Sequence, residues 1–77
     1  MKTVMLYLNN GDTYLGNHYT EREAVNKIKL AGYNQFYKGR NYYDRQLCFV
    51  AIDKLNTVGI EQRRENGLRG ARKHFIK

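Results

Sequence analysis

The sequence has few of the features that mark secreted, membrane-spanning or multidomain proteins. It contains one cysteine, so no intramolecular disulfide can form and the small disulfide-rich secreted scaffolds are excluded. It has no proline, and no apolar run reaches the roughly 18 to 20 residues of a transmembrane helix. The N-terminal stretch also lacks the apolar length of a signal peptide. At 77 residues the chain is too short for two domains. We therefore expect one cytoplasmic domain with no membrane partner.

Acidic residues are scarce. Seven Asp and Glu stand against 14 Lys and Arg, which gives a net charge of +7 and a pI near 9.8. Ten of the 14 cations follow residue 35, together with four of the seven acids. Such an excess attracts polyanions and releases their counterions on binding. The composition therefore predicts a nucleic-acid partner, bound by the second half of the chain.

The sequence also lacks the short motifs of common catalytic sites. It has no His-Glu-x-x-His, no Cys-x-x-Cys, no phosphate-binding Walker loop and no Gly-x-Gly-x-x-Gly. Cys48 lies in the apolar segment 47–52, which favours a buried structural thiol over a nucleophile. His74 lies in a basic stripe, where a polar surface role is favoured over acid–base chemistry on RNA. We expect no enzymatic activity, no catalytic residue, no metal and no other cofactor.

Residues 3–18 have the pattern of a β-hairpin. Asn10 and Gly11 are the residues that a two-residue type I′ turn prefers, because both central positions need a positive φ. The expected cross-strand pairs are Leu8 with Thr13, Tyr7 with Tyr14, and Leu6 with Leu15. The aliphatic side chains of such a hairpin share one face, which we predict to be the core face: Val4, Leu6, Leu8 and Leu15. The opposite face carries Met5, Tyr7, Tyr14 and His18.

A helix is predicted to follow the hairpin. Thr20 and Glu23 have the spacing of a capping box, so the helix should begin at Glu21, and Gly32 should end it. Its apolar residues recur on one side, which we expect to pack on the aliphatic face of the hairpin.

The remainder of the chain has a weaker pattern. Residues 33–46 contain five aromatic residues and suggest a hairpin or an ordered loop, with Gly39 as a turn. Residues 47–52 predict a central strand, and residues 57–62 a second strand, with a helix over 44–58 as the alternative. Residues 63–77 predict a basic arm or a short helix. The expected fold is thus a small α+β domain, with a core over residues 1–62.

Aromatic and basic residues alternate in the second half, as expected of a surface that binds RNA or a single strand through base stacking and phosphate contacts. The candidate stacking residues are Tyr37, Tyr42 and Tyr43. The candidate phosphate contacts are Lys38, Arg40, Arg45, Arg63, Arg64, Arg69, Arg72 and Lys73.

We therefore predict a small, non-enzymatic protein that binds RNA or another single strand. The alternative is a viral or mobile-element antagonist that binds and inhibits a host nuclease or another nucleic-acid-handling protein. For that alternative, Tyr7 and Tyr14 are the predicted protein contacts, since exposed tyrosines are enriched at interfaces. The same pair could also form a homodimer contact.

Overall fold

A five-stranded mixed sheet with one helix on one face forms the fold, in a computed structural model that describes residues 2–52 and 68–76. The elements are β1 (Val4–Leu8), β2 (Thr13–Tyr19), α1 (Glu21–Leu30), β3 (Gln35–Asn41), β4 (Leu47–Ala51) and β5 (Leu68–Phe75). The strand order is β2-β1-β4-β3-β5. Strands β1 and β4 are parallel, and the other neighbours are antiparallel. The predicted α+β fold, with a hairpin, a helix and further strands, is confirmed.

The turn between β1 and β2 has the positive φ angles predicted at Asn10 and Gly11, and Asn9 also has a positive φ, of 53°. Asn10 has φ 57° and ψ 30°, and Gly11 has φ 92°. The amide of Asp12 donates to the carbonyl oxygen of Asn9 at 3.1 Å, which closes the turn. The expected pairs of Leu8 with Thr13 and Tyr7 with Tyr14 are present.

The pairing predicted for Leu6 with Leu15 is wrong. Leu6 lies opposite Gly16 instead, because the register of β2 shifts between the Tyr7 and Leu6 pairs and shifts again before Val4. Gly16 has φ 136°, a conformation that favours glycine, and this lets the strand absorb an extra residue. Leu15 still packs against the core on the helix side of the sheet.

Both predicted ends of the helix are confirmed. The amide of Glu23 donates to Thr20 Oγ1 at 3.2 Å, and the amide of Thr20 donates to Glu23 Oε1 at 3.1 Å. At the other end Gly32 has φ 93°, and the amide of Tyr33 donates to the carbonyl of Ile28 at 3.2 Å. This is a Schellman motif, in which a left-handed glycine ends the helix.

The core has two layers, one on each face of the sheet. The helix-side layer consists of Val4, Leu6, Ala24, Ile28, Phe36, Phe49 and Ala51. The layer on the opposite face consists of Met5, Tyr37, Cys48, Val50 and Ile52. Burial raises the pKa of the Cys48 thiol to about 12, so this cysteine is the structural thiol expected. Two-sided burial explains why residues 47–52 form an uninterrupted apolar run.

The second half corrects several predictions. Leu47–Ala51 is a strand, so the alternative helix over 44–58 is wrong in this stretch. Gly39 lies inside β3 opposite Cys48, and the chain reverses at residues 42–44 instead. The strand predicted over 57–62 lies outside the described residues.

The described part of the tail is a strand, not the basic arm or short helix expected. Strand β5 pairs antiparallel with β3, from Gln35 opposite Phe75 to Asn41 opposite Leu68. The register shifts opposite Gly39, where Gly70 has φ 63°. This irregularity interrupts the alternation of side chains, so the tail lacks the two-residue period by which a strand is recognised.

Candidate nucleic-acid interface

A basic groove of about 690 Å³ lies on the helix side of strands β3, β4 and β5. We call it the basic groove, and it is lined by Lys38, Gly39, Arg40, Arg45, Leu47, Arg69, Gly70, Arg72 and His74. Five of these nine residues are Lys or Arg, and none is acidic. A concave surface lined by one sign of charge focuses the electrostatic potential, so this groove is suited to a polyanion.

Pairing of β3 with β5 brings four of the groove cations together. Lys38 lies opposite Arg72, and Arg40 lies opposite Arg69. Like charges directly opposite one another on a sheet are destabilising. Sheet pairing therefore places two like-charged pairs next to each other at the edge of the sheet.

One carboxylate at the margin of the groove offsets part of this charge. Lys38 Nζ lies 2.8 Å from Glu21 Oε1, at the first turn of α1. Both side chains are substantially exposed, so this ion pair contributes little to stability. The ion pair places the beginning of α1 next to the Lys38 side of the groove.

Arg45 enters the groove from the turn between β3 and β4. It has φ 61°, which is uncommon for a residue with a side chain. Its carbonyl oxygen accepts a hydrogen bond from Arg40 Nη1 at 3.1 Å. This contact places the Arg40 guanidinium beside the turn, at the end of the groove that Arg45 lines.

The same turn exposes two aromatic rings. The side-chain oxygen of Asn41 accepts from the amides of Tyr43 at 2.9 Å and Asp44 at 3.4 Å, which fixes the backbone locally. Tyr42 is 57% exposed and Tyr43 is 88% exposed, and their rings meet edge to face at 5.6 Å. These rings have the exposure that base stacking needs.

Arg69 joins the turn to the groove. Its guanidinium carbon lies 5.7 Å from the centre of the Tyr42 ring, within range of a cation–π contact. We call Lys38, Arg40, Arg69 and Arg72 the row of cations. The exposed aromatic rings of the turn therefore lie at the Arg69 end of this row.

Two of the predicted site residues do not belong to this groove. Tyr37 is only 2% exposed and packs in the core layer opposite the helix, so it cannot stack on a base. Lys73 lies over the Tyr37 ring at 5.9 Å and is absent from the groove lining. Tyr37 and Lys73 are opposite each other in the β3–β5 ladder, next to the pair of Lys38 and Arg72. Because successive pairs alternate between the two faces of a sheet, Tyr37 and Lys73 face away from the groove.

Seven predicted site residues do come together: Lys38, Arg40, Tyr42, Tyr43, Arg45, Arg69 and Arg72. Arg63 and Arg64 lie outside the described residues.

His74 is a groove residue that was not among the predicted nucleic-acid contacts. Its ring stacks on Phe36, with centroids 5.5 Å apart and planes inclined by 16°. A strand prediction for residues 68–75 would have placed His74 on the same face as Arg72. The basic composition and the glycine of the tail concealed that strand.

The predicted tyrosine pair of the hairpin is present on the other face of the sheet. The Tyr7 and Tyr14 rings are 4.9 Å apart, and Tyr14 is 50% exposed. Tyr7 packs against the core layer that contains Tyr37, and burial is the main reason that its pKa is raised. This pair is therefore separate from the basic groove.

Over residues 2–52 and 68–76, no three His, Cys, Asp or Glu side chains are arranged to hold a metal ion. In the same residues, no helix has the length and apolar character that crossing a bilayer requires. Comparison with known proteins found no matching family model, no matching curated protein and no matching solved structure.

Proposed function

We propose that this protein binds RNA or another single-stranded nucleic acid in the basic groove, without catalysing a reaction on it. The observation that carries the proposal is the pair of like-charged cross-strand pairings, Lys38 opposite Arg72 and Arg40 opposite Arg69. Phosphates of one strand would lie between these cations and neutralise their charges.

A single strand is favoured over a duplex by the exposed rings of Tyr42 and Tyr43 beside the groove. Unstacked bases can lie on such rings, whereas the bases of a duplex are already stacked and paired. The groove therefore offers phosphate contacts and base contacts side by side.

The test compares two charge-matched variants. The groove variant replaces Arg40, Arg69 and Arg72 by Gln. The control variant replaces Lys2, Lys29 and Lys73 by Gln, because these residues are exposed and do not line the groove. Each variant removes three positive charges, so a difference between them reports position instead of net charge.

We expect wild-type affinity for a 20-nucleotide mixed RNA to fall steeply with salt. For single strands the slope is about 0.7 per phosphate contact, so the groove variant should lose about 2 from the slope and the control variant much less. Equal losses in both variants, or wild-type binding that does not change with salt, would contradict the proposal. Thermal melting of each variant verifies that it remains folded.

A second candidate function, binding to a host protein as an antagonist, is favoured by Tyr14, which is half exposed beside Tyr7. Tyrosine is enriched among the residues that contribute most to protein interfaces. Tyr14→Ala should leave RNA affinity unchanged. It should abolish association with a protein that co-purifies with the wild type, if this candidate is correct.

A further inference from the structure

Three aromatic rings cross the sheet in a row from its centre to its edge. The Phe49 ring of β4 stacks on Phe36 of β3, with centroids 4.9 Å apart and planes inclined by 25°. Phe36 in turn stacks on His74 of β5 at 5.5 Å and 16°. The first two rings are buried, and the third is exposed and lines the basic groove.

This row holds the His74 ring in a defined plane. One side of the imidazole lies against Phe36, which is itself part of the helix-side core. A ring fixed by packing loses little further conformational entropy when a ligand stacks on it. Histidine is among the side chains on which unpaired bases stack.

His74 and Tyr42 lie near opposite ends of the row of cations. Tyr42 contacts Arg69, and the β3 partners of Arg69 and His74, Arg40 and Phe36, are four residues apart, because β5 carries an extra residue at the register shift. At about 3.3 Å per residue this separation is roughly 13 Å. Nucleotides stacked at about 3.4 Å would span it in about four intervals, which corresponds to about five nucleotides.

We infer that His74 is a second base-stacking ring, and that the basic groove holds a single-stranded segment of about five nucleotides between His74 and Tyr42. This inference rests on the proposed function and adds the size of the ligand and the residue that contacts its far end. The intervening phosphates would contact Lys38, Arg40, Arg69 and Arg72.

The test uses three substitutions that separate the ring of His74 from its polarity. His74→Ala removes the ring, His74→Phe keeps a stacking ring without nitrogen atoms, and His74→Lys places a cation at this position without a ring. Phe75→Ala is the matched control, because Phe75 is an exposed aromatic on the same strand that points to the other face.

The probe is a fluorescently labelled oligoadenosine RNA of eight nucleotides at fixed salt. We expect His74→Ala and His74→Lys to weaken binding by roughly 5- to 150-fold, the range that corresponds to loss of one stacked base. His74→Phe and Phe75→Ala should remain within about twofold of the wild type. Thermal melting verifies that every variant is folded.

Two further measurements use the wild type and His74→Ala. Affinity should rise with oligomer length up to about five nucleotides and change little beyond that. When one terminal nucleotide of a five-nucleotide oligomer is made abasic, the difference between wild type and His74→Ala should disappear for one of the two ends.

Three outcomes would overturn the inference. These are wild-type affinity in His74→Ala, retention by His74→Lys together with loss in His74→Phe, and a loss that persists with both abasic oligomers. Failure of the proposed function looks different, since the wild type would then show no salt-dependent binding to any of these RNAs.

Discussion

The guanidinium carbon of Arg69 lies 5.7 Å from the centre of the Tyr42 ring, so a residue of the last strand rests on the turn between β3 and β4. These residues are far apart in the sequence, and pairing of β5 with β3 brings them together. The contact joins the exposed aromatic residues to the groove cations, and it depends on the pairing of β5 with β3, which was not predicted from the sequence.

Tyr42→Ala should reduce affinity for a single-stranded RNA by about 1 to 3 kcal/mol, because it removes a ring on which a base stacks. The dependence of affinity on salt should change little, since no phosphate contact is lost. Tyr42→Phe keeps the ring and should bind like the wild type, and duplex RNA should bind both variants equally. Fluorescence anisotropy over a salt series measures these effects. Loss of thermal stability in Tyr42→Ala would instead assign the ring a structural role.

Gly39→Ala should destabilise the protein by about 1 to 3 kcal/mol through overpacking between strands. A Cβ at this position would lie 3.1 Å from both Cα and Cβ of Ala71 and 3.2 Å from the carbonyl oxygen of Arg69. Strand β5 would have to move away from β3, which would also spread the cations of the groove. The free energy of unfolding, measured by urea denaturation, and the affinity for RNA should therefore both decrease. Gly32 is a useful comparison, because a Cβ there meets no atom within 4 Å and the cost is confined to its positive φ.

Thr20→Ala should reduce the free energy of unfolding by about 1 kcal/mol, because the amide of Glu23 loses its acceptor at the start of α1. Thr20→Ser retains the hydroxyl and should restore most of that stability. Chemical denaturation at neutral pH measures both variants. Equal stability of Thr20→Ala and the wild type would show that the cap does not stabilise the helix.

Glu23 should make folding sensitive to acid. Hydrogen bonds with Thr20 lower the pKa of Glu23 below its ordinary value of 4.5. The contribution of Glu23 to folding stability is therefore present above about pH 4.5, and it is lost as the pH falls through the lower pKa that Glu23 has in the folded state. Glu23→Gln should show a shallower loss of stability over this range, as measured by thermal melting at a series of pH values. A parallel pH profile for both proteins would contradict this expectation.

Cys48 should resist thiol reagents in the native protein. Burial raises its pKa to about 12, so almost no thiolate is present at pH 8 and the sulfur is also inaccessible. The reaction should become fast in denaturing urea, where the thiol regains its ordinary pKa and its exposure. Rapid labelling under native conditions would show that the core layer opposite the helix opens readily.

Local chemistry accounts for the parts of the fold that the sequence predicts well. The turn at Asn10-Gly11, the cap at Thr20 and the end of the helix at Gly32 depend on neighbouring residues, and all three are present as predicted. Long-range pairing accounts for the corrections. Residues 68–75 form a strand because β3 supplies an antiparallel partner, and the glycines at the register shift disguise the pattern.

The same distinction applies to the groove. The cations and exposed tyrosines of the second half were predicted from composition, which reports charge and aromatic content without position. Which of these residues share a face of the sheet depends on the register of β3 with β5. In this register Tyr37 and Lys73 lie on the face opposite the groove, and His74 lies on the groove face.

Among the strands of residues 2–52 and 68–76, the parallel pairing of β1 with β4 divides the sheet into two antiparallel halves that meet along one seam. Val4 lies opposite Leu47, so this seam joins residues more than forty positions apart in the sequence, whereas the β1–β2 hairpin is local. Contacts between residues so far apart in the sequence form late in folding, because the entropic cost of closing the intervening loop must be overcome first. Two peptides cut at the Gly32 turn would each retain a hairpin partner, and the seam would be the surface on which they reassociate. The folding rate of the intact chain would accordingly be set by the joining of these halves.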